Sequence, residues 1–231
     1  MNFFIIFLLG QSIDFAKHLE EEEDYFRAIY EYKKVYYSCE DPALKDSVSE
    51  RIAYLSLKLG DYNNALTYIK RLQNESGKER KLGFVYLLMN DFKRAEELWK
   101  DNDTLMAWLY LRKGDVEKAK MHIPKIEFKR KSPFLAGFAS AVVPGAGKFY
   151  SGRAFDGMLS FLINASTMYS AYRAYRSGRD VEFYLYSGLS VIFYAGDIYG
   201  SVIASQEYNE KELERISRGF ETRYNVWKFW Y

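Results

Sequence analysis

Apolar residues recur at intervals of three and four along residues 13–126, which is the spacing that places them on one face of an α-helix. The pattern stops at short polar turns and then resumes. On the two sides of one such turn, the apolar positions are Ile52, Leu55, Leu59, Leu66, Ile69 and Leu72. This pattern predicts pairs of short helices and an all-α fold.

Four related phrases mark the predicted turns between paired helices. They are DYFRA, DYNNA, DFKRA and DVEKA, which end at Ala28, Ala65, Ala95 and Ala119. The Asp is expected to cap the second helix by accepting a backbone N–H, and the small Ala allows the two helices to cross closely. The residues expected to pack within or between the pairs are Tyr25, Ala28, Gly60, Tyr62, Ala65, Phe92, Ala95, Gly114 and Ala119.

These phrases resemble the tetratricopeptide repeat, a helical-hairpin repeat with Gly-Asp-Tyr before its second helix and Ala at this spacing. Successive alanines lie 37, 30 and 24 residues apart, whereas the repeat has a period of about 34. In addition, Glu23 and Asn90 stand in place of Gly. The resemblance implies a solenoid over residues 13–126 whose concave face holds a peptide or helix of a protein partner. The alternative is a spacer, or a domain that packs on the chain's own C-terminal half.

The first residues are apolar from position 3 to position 9. This run is too short to span a bilayer, but it has the length of the apolar region of a signal peptide. Small residues at Gly10 and Ser12 are compatible with cleavage, although no Lys or Arg precedes the run. Residues 1–12 are therefore predicted to be a signal peptide or an anchor, with a buried first helix as the alternative.

A basic linker, residues 127–133, leads into a more apolar region, residues 134–206. This region holds two long segments, 155–175 and 183–204, separated by a short polar turn. The second segment contains one charged residue and is long enough to cross the apolar core of a bilayer, which is about 30 Å thick. The pattern predicts a transmembrane helical hairpin with membrane lipid as its partner.

Asp197 is the charged residue of the second segment, and a carboxylate inside a membrane helix is costly unless it is paired. In an antiparallel hairpin Asn164 lies at a similar depth, so we expect the two side chains to form a hydrogen bond. Arg153 or a tyrosine hydroxyl is the alternative partner. The small residues expected to let the two helix backbones approach closely are Gly196, Gly200 and Ala204.

The stretch VVPGAGKFYSG, residues 142–152, contains a Gly-Lys pair as a phosphate-binding loop does. A Walker loop needs Gly five residues before its Gly-Lys and Ser or Thr after the Lys, but Val142 and Phe149 occupy these places. No nucleotide ligand is therefore expected. Pro breaks the preceding helix and Gly permits a reversal, so we predict a membrane-surface turn formed by Pro144, Gly145, Gly147, Tyr150 and Gly152.

Residues 132–210 resemble an uncharacterised family of bacterial membrane-associated proteins, in which a Pro-Gly-x-Gly-x-x-Tyr-x-Gly motif precedes a helical hairpin. That family has Asn where this chain has Asp197, and Gln or His where it has Lys148. The resemblance implies a membrane location and no established reaction. Further matching positions are Gly157, Asn164, Tyr199, Gly200 and Asn209.

The tail, residues 207–231, is predicted to be an amphipathic helix. Its apolar positions are Leu213, Ile216, Phe220, Tyr224, Trp227 and Tyr231. Together with Trp230, they fit a helix that lies in the membrane interface. The alternative is that the tail packs on the repeats.

Composition narrows the possible functions. A net charge of +2 with 28% charged residues excludes a general polyanion binder such as a nucleic-acid protein. The 21 tyrosines suit an interface, and a candidate contact strip is formed by Tyr30, Tyr32, Tyr36 and Tyr37, although stacking between repeats accounts for at least half of them. No catalytic motif or cofactor-binding motif is found, and Cys39 has no partner for an intramolecular disulfide.

The sequence therefore favours a noncatalytic adaptor in a bacterial cell membrane, whose repeats bind another protein of the cell envelope. Two alternatives stay open: a small transport or insertion component that acts through the hairpin as an oligomer, and a soluble all-helical protein. Arg173, Arg176 and Arg179 favour a cytoplasmic hairpin turn and extracytoplasmic repeats. The basic linker favours the opposite orientation.

Overall fold

The computed structural model describes residues 3–73, 75 and 77–230, and side chains from residue 10 onward. The described residues are all-helical and contain no strand. The chain divides into two compact units. Unit 1 contains the residues up to Lys125 together with those from Phe220 onward, and unit 2 is Ile126–Gly219.

Unit 1 begins with eight helices, which pack in sequence order. The bounds are α1 Phe3–Glu21, α2 Tyr25–Ser38, α3 Pro42–Lys58, α4 Tyr62–Lys70, α5 Lys78–Leu88, α6 Phe92–Trp99, α7 Asp103–Lys113 and α8 Val116–His122. The predicted signal peptide or anchor at residues 1–12 falls on the start of α1. Residues 1 and 2 and the side chains of residues 3–9 lie outside the described part.

The turns inside the four helix pairs share one backbone geometry. Residues Glu23, Gly60, Asn90 and Gly114 have φ of 59°, 75°, 60° and 83°, which is the left-handed region that Gly adopts most readily. The next residue is an Asp whose carboxylate accepts the backbone N–H three residues later. The two residues that depart from the repeat pattern therefore adopt the same conformation as the glycines.

The predicted packing residues fall into two groups. Ala28, Ala65, Ala95 and Ala119 are completely buried, and Tyr25, Tyr62 and Phe92 are half-buried. In contrast, Gly60 and Gly114 are exposed, and a Cβ added at Gly60 would meet nothing within 4 Å. The role of these two glycines is therefore the backbone conformation of the turn, and the prediction that they pack was wrong.

The core of unit 1 is a cluster of large rings. The Phe84 ring centroid lies 5.1 Å from that of Trp99, 5.5 Å from that of Trp108 and 5.8 Å from that of Trp230. Two of the buried indoles donate hydrogen bonds, Trp99 Nε1 to the Arg80 carbonyl at 3.0 Å and Trp108 Nε1 to Glu221 at 2.8 Å.

The prediction of a separate tail helix at 207–231 was wrong. One helix, α12, runs without a break from Asp180 to Tyr224, and a 3-10 helix, Val226–Phe229, follows. Trp230 is buried in unit 1 and is 1% exposed. The described residues from Phe220 onward therefore pack within unit 1, because the tryptophans of this segment find a better apolar environment among other rings than in water.

Unit 2 contains α9 Pro133–Val142, α10 Ala146–Tyr150, α11 Ala154–Arg176 and the part of α12 up to Gly219. Its first residues are not a free linker. Lys131 donates its backbone N–H to Asn209 Oδ1 and accepts from Asn209 Nδ2, both at 2.8 Å. The Lys131 ammonium also lies 3.9 Å from the ring centroid of Tyr208. The predicted basic linker is thus fixed to α12.

Candidate functional site

The interior of unit 2 is made of small and polar residues. Gly145 has φ of 84°, and a Cβ there would overlap the carbonyl of Gly157. A Cβ on Gly147 would overlap the Ala136 carbonyl and lie 2.6 Å from Ser201 Cβ. The glycines of the predicted membrane-surface turn therefore allow three helices to approach closely. Gly145 lies in a turn, whereas Gly147 lies within α10 and its role is close packing.

Asp197 has donors that come from the Pro-Gly motif. Its side chain is almost fully buried, and Oδ2 accepts the backbone N–H of Gly145 at 2.6 Å. Its Oδ1 forms an ion pair with Lys148 Nζ at 2.9 Å. Lys148 also donates to Ser160 Oγ at 2.5 Å. A carboxylate on α12 therefore binds both the turn before α10 and the lysine that α10 carries.

A second contact lies beside this one. Ser140 and Ser201 share a hydrogen bond of 2.7 Å between their hydroxyls. Ser140 Oγ also accepts the Gly147 N–H at 3.0 Å. Both serines are completely buried. The Ser140 hydroxyl and the Asp197 carboxylate thus accept backbone N–H groups at the start of the short helix α10, which have no partner within that helix.

The predicted hydrogen bond between Asn164 and Asp197 is not formed. Asn164 is 1% exposed and donates Nδ2 to the Ser160 carbonyl at 2.9 Å, while its Oδ1 has no partner. Arg153, the alternative, pairs instead with Asp156 at 2.6 Å. The reason is that α10 brings Lys148, rather than Asn164, to the Asp197 carboxylate.

The three small residues of α12 that were predicted to pack against the neighbouring helix lie in different environments. Among the small residues, Ala204 is 1% exposed, Gly200 faces the Lys148 side chain, and Gly196 is exposed with nothing within 4 Å of an added Cβ. Residues four apart on a helix drift around its axis, which moves Gly196 off the contact face.

The motif tyrosine and its neighbours fix the ends of the short helices. Tyr150 Oη accepts the Ser132 N–H at 3.0 Å, and Gly152, with φ of 84°, follows the end of α10. Pro144 lies between α9 and α10 and is half-buried. Tyr194 donates to the Ala141 carbonyl at 2.5 Å.

The sequence did not single out Tyr194, Ser140, Ser160 or Ser201, because a serine or tyrosine in an apolar helix carries no periodic pattern.

The outside of unit 2 is apolar. Among the described side chains, 24 large apolar residues are exposed between Phe134 and Tyr199, whereas six are exposed in unit 1. One described helix, Asp180–Tyr224, is long and apolar enough to cross a membrane, and 22% of its apolar window is buried. The segment around α11 does not meet the same criterion, so the sequence prediction of two spans is supported for one helix.

Unit 1 has a cleft of about 610 Å³ formed mainly by α1 and α3. Its lining includes Ile13, Lys17, Glu20, Leu44, Ser47 and Arg51. Arg51 Nε donates to both carboxylate oxygens of Glu20, at 2.8 and 2.9 Å. Burial raises the pKa of Tyr32, which also lines the cleft, and the Glu20 carboxylate raises the pKa further. The cleft can therefore offer paired charges beside apolar surface to a peptide.

Comparisons with known proteins give one partial relative. An uncharacterised protein of Methanocaldococcus jannaschii is 39% identical to this chain over 64 residues. The match covers 26% of this chain and 65% of that protein, which is less than two thirds of its length. No family model matches the chain, and no solved structure matches it.

Proposed function

We propose that this protein is a noncatalytic, membrane-anchored adaptor in which unit 2 holds the chain in a membrane and unit 1 binds another protein. The observation that carries the proposal is the inverted distribution of residues in unit 2. Exposed apolar patches of this extent mark contact with lipid or with another protein. In lipid, buried polar groups pair with one another, as the groups around Asp197 and Ser140 do.

Two further observations support the membrane anchor. The core helix of a soluble protein is mostly buried, whereas the apolar window of α12 is 22% buried. A short turn at 177–179 joins α11 to α12, which is the connection that a transmembrane hairpin requires. The resemblance of the Pro-Gly motif to a family of membrane-associated proteins agrees with this proposal.

The adaptor role of unit 1 rests on its helix pairs. Their shared turns resemble tetratricopeptide repeats, which imply a solenoid and commonly hold a peptide or helix of a partner. The cleft of about 610 Å³ on α1 and α3 is the candidate site for that segment. We propose that the partner is another membrane or envelope protein, and that the cluster of arginines at the hairpin turn keeps this turn in the cytoplasm.

The membrane proposal is tested by comparing two exposed positions. In a Cys39→Ser background, Ile192→Cys lies on α12 and Met121→Cys lies on unit 1, and both residues are largely exposed. The membranes are prepared from lysed expressing cells, so that the reagent reaches both faces of the bilayer. A water-soluble maleimide is then expected to label the cysteine at position 121 and not the one at position 192. Alkaline carbonate should leave the chain in the pellet.

A different result would contradict the membrane proposal. If both cysteines react at the same rate and carbonate releases the chain, the protein is soluble and the apolar face of unit 2 is a contact with protein. The adaptor role is tested separately with a photo-crosslinking amino acid at Ser47 in the cleft and at the exposed Lys100 as a control. A discrete adduct is expected from Ser47 alone, and equal adducts from both positions would contradict a binding cleft.

A further inference from the structure

Unit 1 carries a second surface that shares no residue with the cleft. Three tyrosines on α2 and α4 pack together, since the Tyr36 ring centroid lies 5.1 Å from that of Tyr37 and 5.5 Å from that of Tyr68. Three cations surround these rings. We call this surface the cationic tyrosine face, and its members are Lys33, Tyr36, Tyr37, Lys45, Tyr68 and Arg71.

The cations of this face have no carboxylate partner among the described residues. Lys33 lies 5.5 Å from the Tyr68 ring centroid and Arg71 lies 5.3 Å from the same centroid. Lys45 lies 5.9 Å from the Tyr36 centroid. The polar contacts are to neutral groups, from Lys33 to Asn64 at 3.4 Å and from Arg71 to the Tyr37 hydroxyl at 3.5 Å. Three positive charges therefore lie around one ring cluster without a direct ion pair to a carboxylate among the described residues.

The neighbouring cations behave differently. Lys34, on the same helix, forms an ion pair with Glu31 at 2.7 Å, and the buried Lys81 pairs with Glu50 at 2.7 Å. These two cations are each held by a carboxylate, whereas Lys33, Lys45 and Arg71 form no such pair among the described residues. The Arg71 guanidinium at the Tyr37 hydroxyl also lowers the pKa of Tyr37, which agrees with a positive local potential.

An apolar edge continues this face along α2. Phe26 is 78% exposed, Tyr30 is 61% exposed and Tyr37 is 68% exposed. Their spacings of four and seven residues place them on one side of the helix. Half of the large apolar residues exposed on unit 1, among its described side chains, therefore lie along the side of α2 that carries Tyr37. Exposed aromatic residues beside Arg are typical of the energetically dominant parts of protein interfaces.

We propose that the cationic tyrosine face binds an acidic peptide segment of a partner protein. Carboxylates of the segment pair with Lys33, Lys45 and Arg71, and its apolar side chains lie on Phe26 and Tyr30. This inference rests on the proposed adaptor function and adds a second binding face, built on the second helices of the first two pairs together with Lys45 of α3. It also states the chemistry of the partner.

Single-stranded nucleic acid fits this face less well. Stacking of bases requires free ring faces, but Tyr68 is 3% exposed and is covered by Lys33 and Arg71. Tyr36 meets both of its ring neighbours edge-on, at 88° and 82°. Pairing of the cations with carboxylates needs no stacking, so the acidic peptide is the better match.

The experiment measures fluorescence anisotropy with the full chain in detergent. The probe is a fluorescein-labelled decapeptide of alternating Glu and Leu, and the matched probes are alternating Gln and Leu, and oligothymidine. The variant is Lys33→Gln with Lys45→Gln and Arg71→Gln. The control, Lys93→Gln with Lys100→Gln and Lys113→Gln, removes the same charge from exposed positions elsewhere in unit 1.

We expect the acidic peptide to bind and the Kd to rise at least about tenfold in the variant but not in the control. Added salt should weaken the binding because the charges are exposed. A Tyr37→Ser variant, at an exposed side chain, is expected to weaken binding as well and serves if the triple variant fails to fold. Equal Kd values for variant and control, equal binding of the Gln peptide, or tighter binding of oligothymidine would each overturn the inference.

This result is independent of the tests of the adaptor role. A chain that stays with the membrane and crosslinks at Ser47 but does not bind the acidic peptide keeps the adaptor assignment and loses this face. A chain that carbonate releases loses its anchor, whatever the peptide binding shows.

Discussion

The two units of this protein have opposite distributions of apolar and polar residues between interior and surface. Unit 1 buries large rings such as Phe84, Trp99 and Trp108 and exposes its charges, as an ordinary soluble domain does. Unit 2 buries Ser140, Asp197 and several glycines, and exposes Phe, Leu, Ile, Met and Tyr side chains. Both are entirely helical in the described residues. The difference teaches that local periodicity decides the helical class but does not decide which residues form the interior.

The capped turns of unit 1 and the start of α10 in unit 2 satisfy their backbone N–H groups in different ways. In unit 1, each Asp caps its own helix from the adjacent position, as Asp61 does for the N–H of Asn64. In unit 2, the N–H of Gly145 at the start of α10 is paired with Asp197, which is 52 residues away. The first solution is local and withstands opening of the tertiary structure. The second exists only when α10 and α12 are packed together.

The largest expected effect comes from breaking this distant contact. Asp197→Ala removes the partner of Lys148 and of the Gly145 N–H and leaves a cation in a mostly buried position. Removal of one partner from a buried ion pair costs about 3–5 kcal/mol. We expect that loss in the free energy of unfolding when SDS is titrated into detergent-solubilised protein and helicity is followed by circular dichroism.

Two further variants sharpen this test. Asp156→Ala removes a carboxylate from the exposed pair with Arg153 and is expected to cost at most about 1 kcal/mol. Replacement of both partners, Lys148→Met with Asp197→Leu, should recover most of the loss, because no charge is left unpaired. If the double variant is as unstable as Asp197→Ala, the backbone contact to Gly145 rather than the ion pair holds the unit together.

An intermediate effect on stability is expected at Gly83, where the backbone of α5 lies against the Trp99 indole in unit 1. A Cβ at this position would overlap the Trp99 indole, which also donates to the Arg80 carbonyl. Gly83→Ala is therefore expected to destabilise unit 1 by about 1–3 kcal/mol, measured as a lower midpoint of thermal unfolding.

The matched control is Gly10→Ala, because Gly10 lies inside α1 and nothing lies within 4 Å of its added Cβ. Its expected effect is a gain of about 0.5–1 kcal/mol from the better helix propensity of Ala. Equal destabilisation by both substitutions would show that Trp99 moves aside and that the core of unit 1 is not tightly packed.

The sequence predicted the local features of unit 1 well. The all-helical class and the Asp caps depend on residues within one or two helical turns of each other. Glu23 and Asn90 looked like departures from the repeat, yet their backbones adopt the same left-handed geometry as Gly60. The chemistry of the turn therefore tolerates other residues at some cost in strain.

The distant features were not predictable. The sequence paired Asp197 with Asn164 from their depth alone, because nothing local indicates that a five-residue helix, α10, brings Lys148 to the carboxylate. The continuity of α12 was missed because its composition changes from apolar to charged near residue 206. Helix formation depends on backbone propensity, and the charged residues of this stretch, mostly Glu, Lys and Arg, are good helix formers.

The smallest expected effect tests whether the four turns of unit 1 are one structural element. Glu23→Gly places in the first turn the residue that the second and fourth turns have, and it relieves a left-handed φ of 59°. Relief of this strain, less the extra chain entropy of Gly, is expected to add about 0.5–1 kcal/mol to the free energy of unfolding. The reciprocal change, Gly60→Ala at φ of 75°, should cost about 1–2 kcal/mol although the added methyl meets nothing. Chemical denaturation of both variants beside the parent chain measures the two signs. If Glu23→Gly destabilises the chain, the Glu23 side chain contributes a contact of its own, and the first turn is not equivalent to the others.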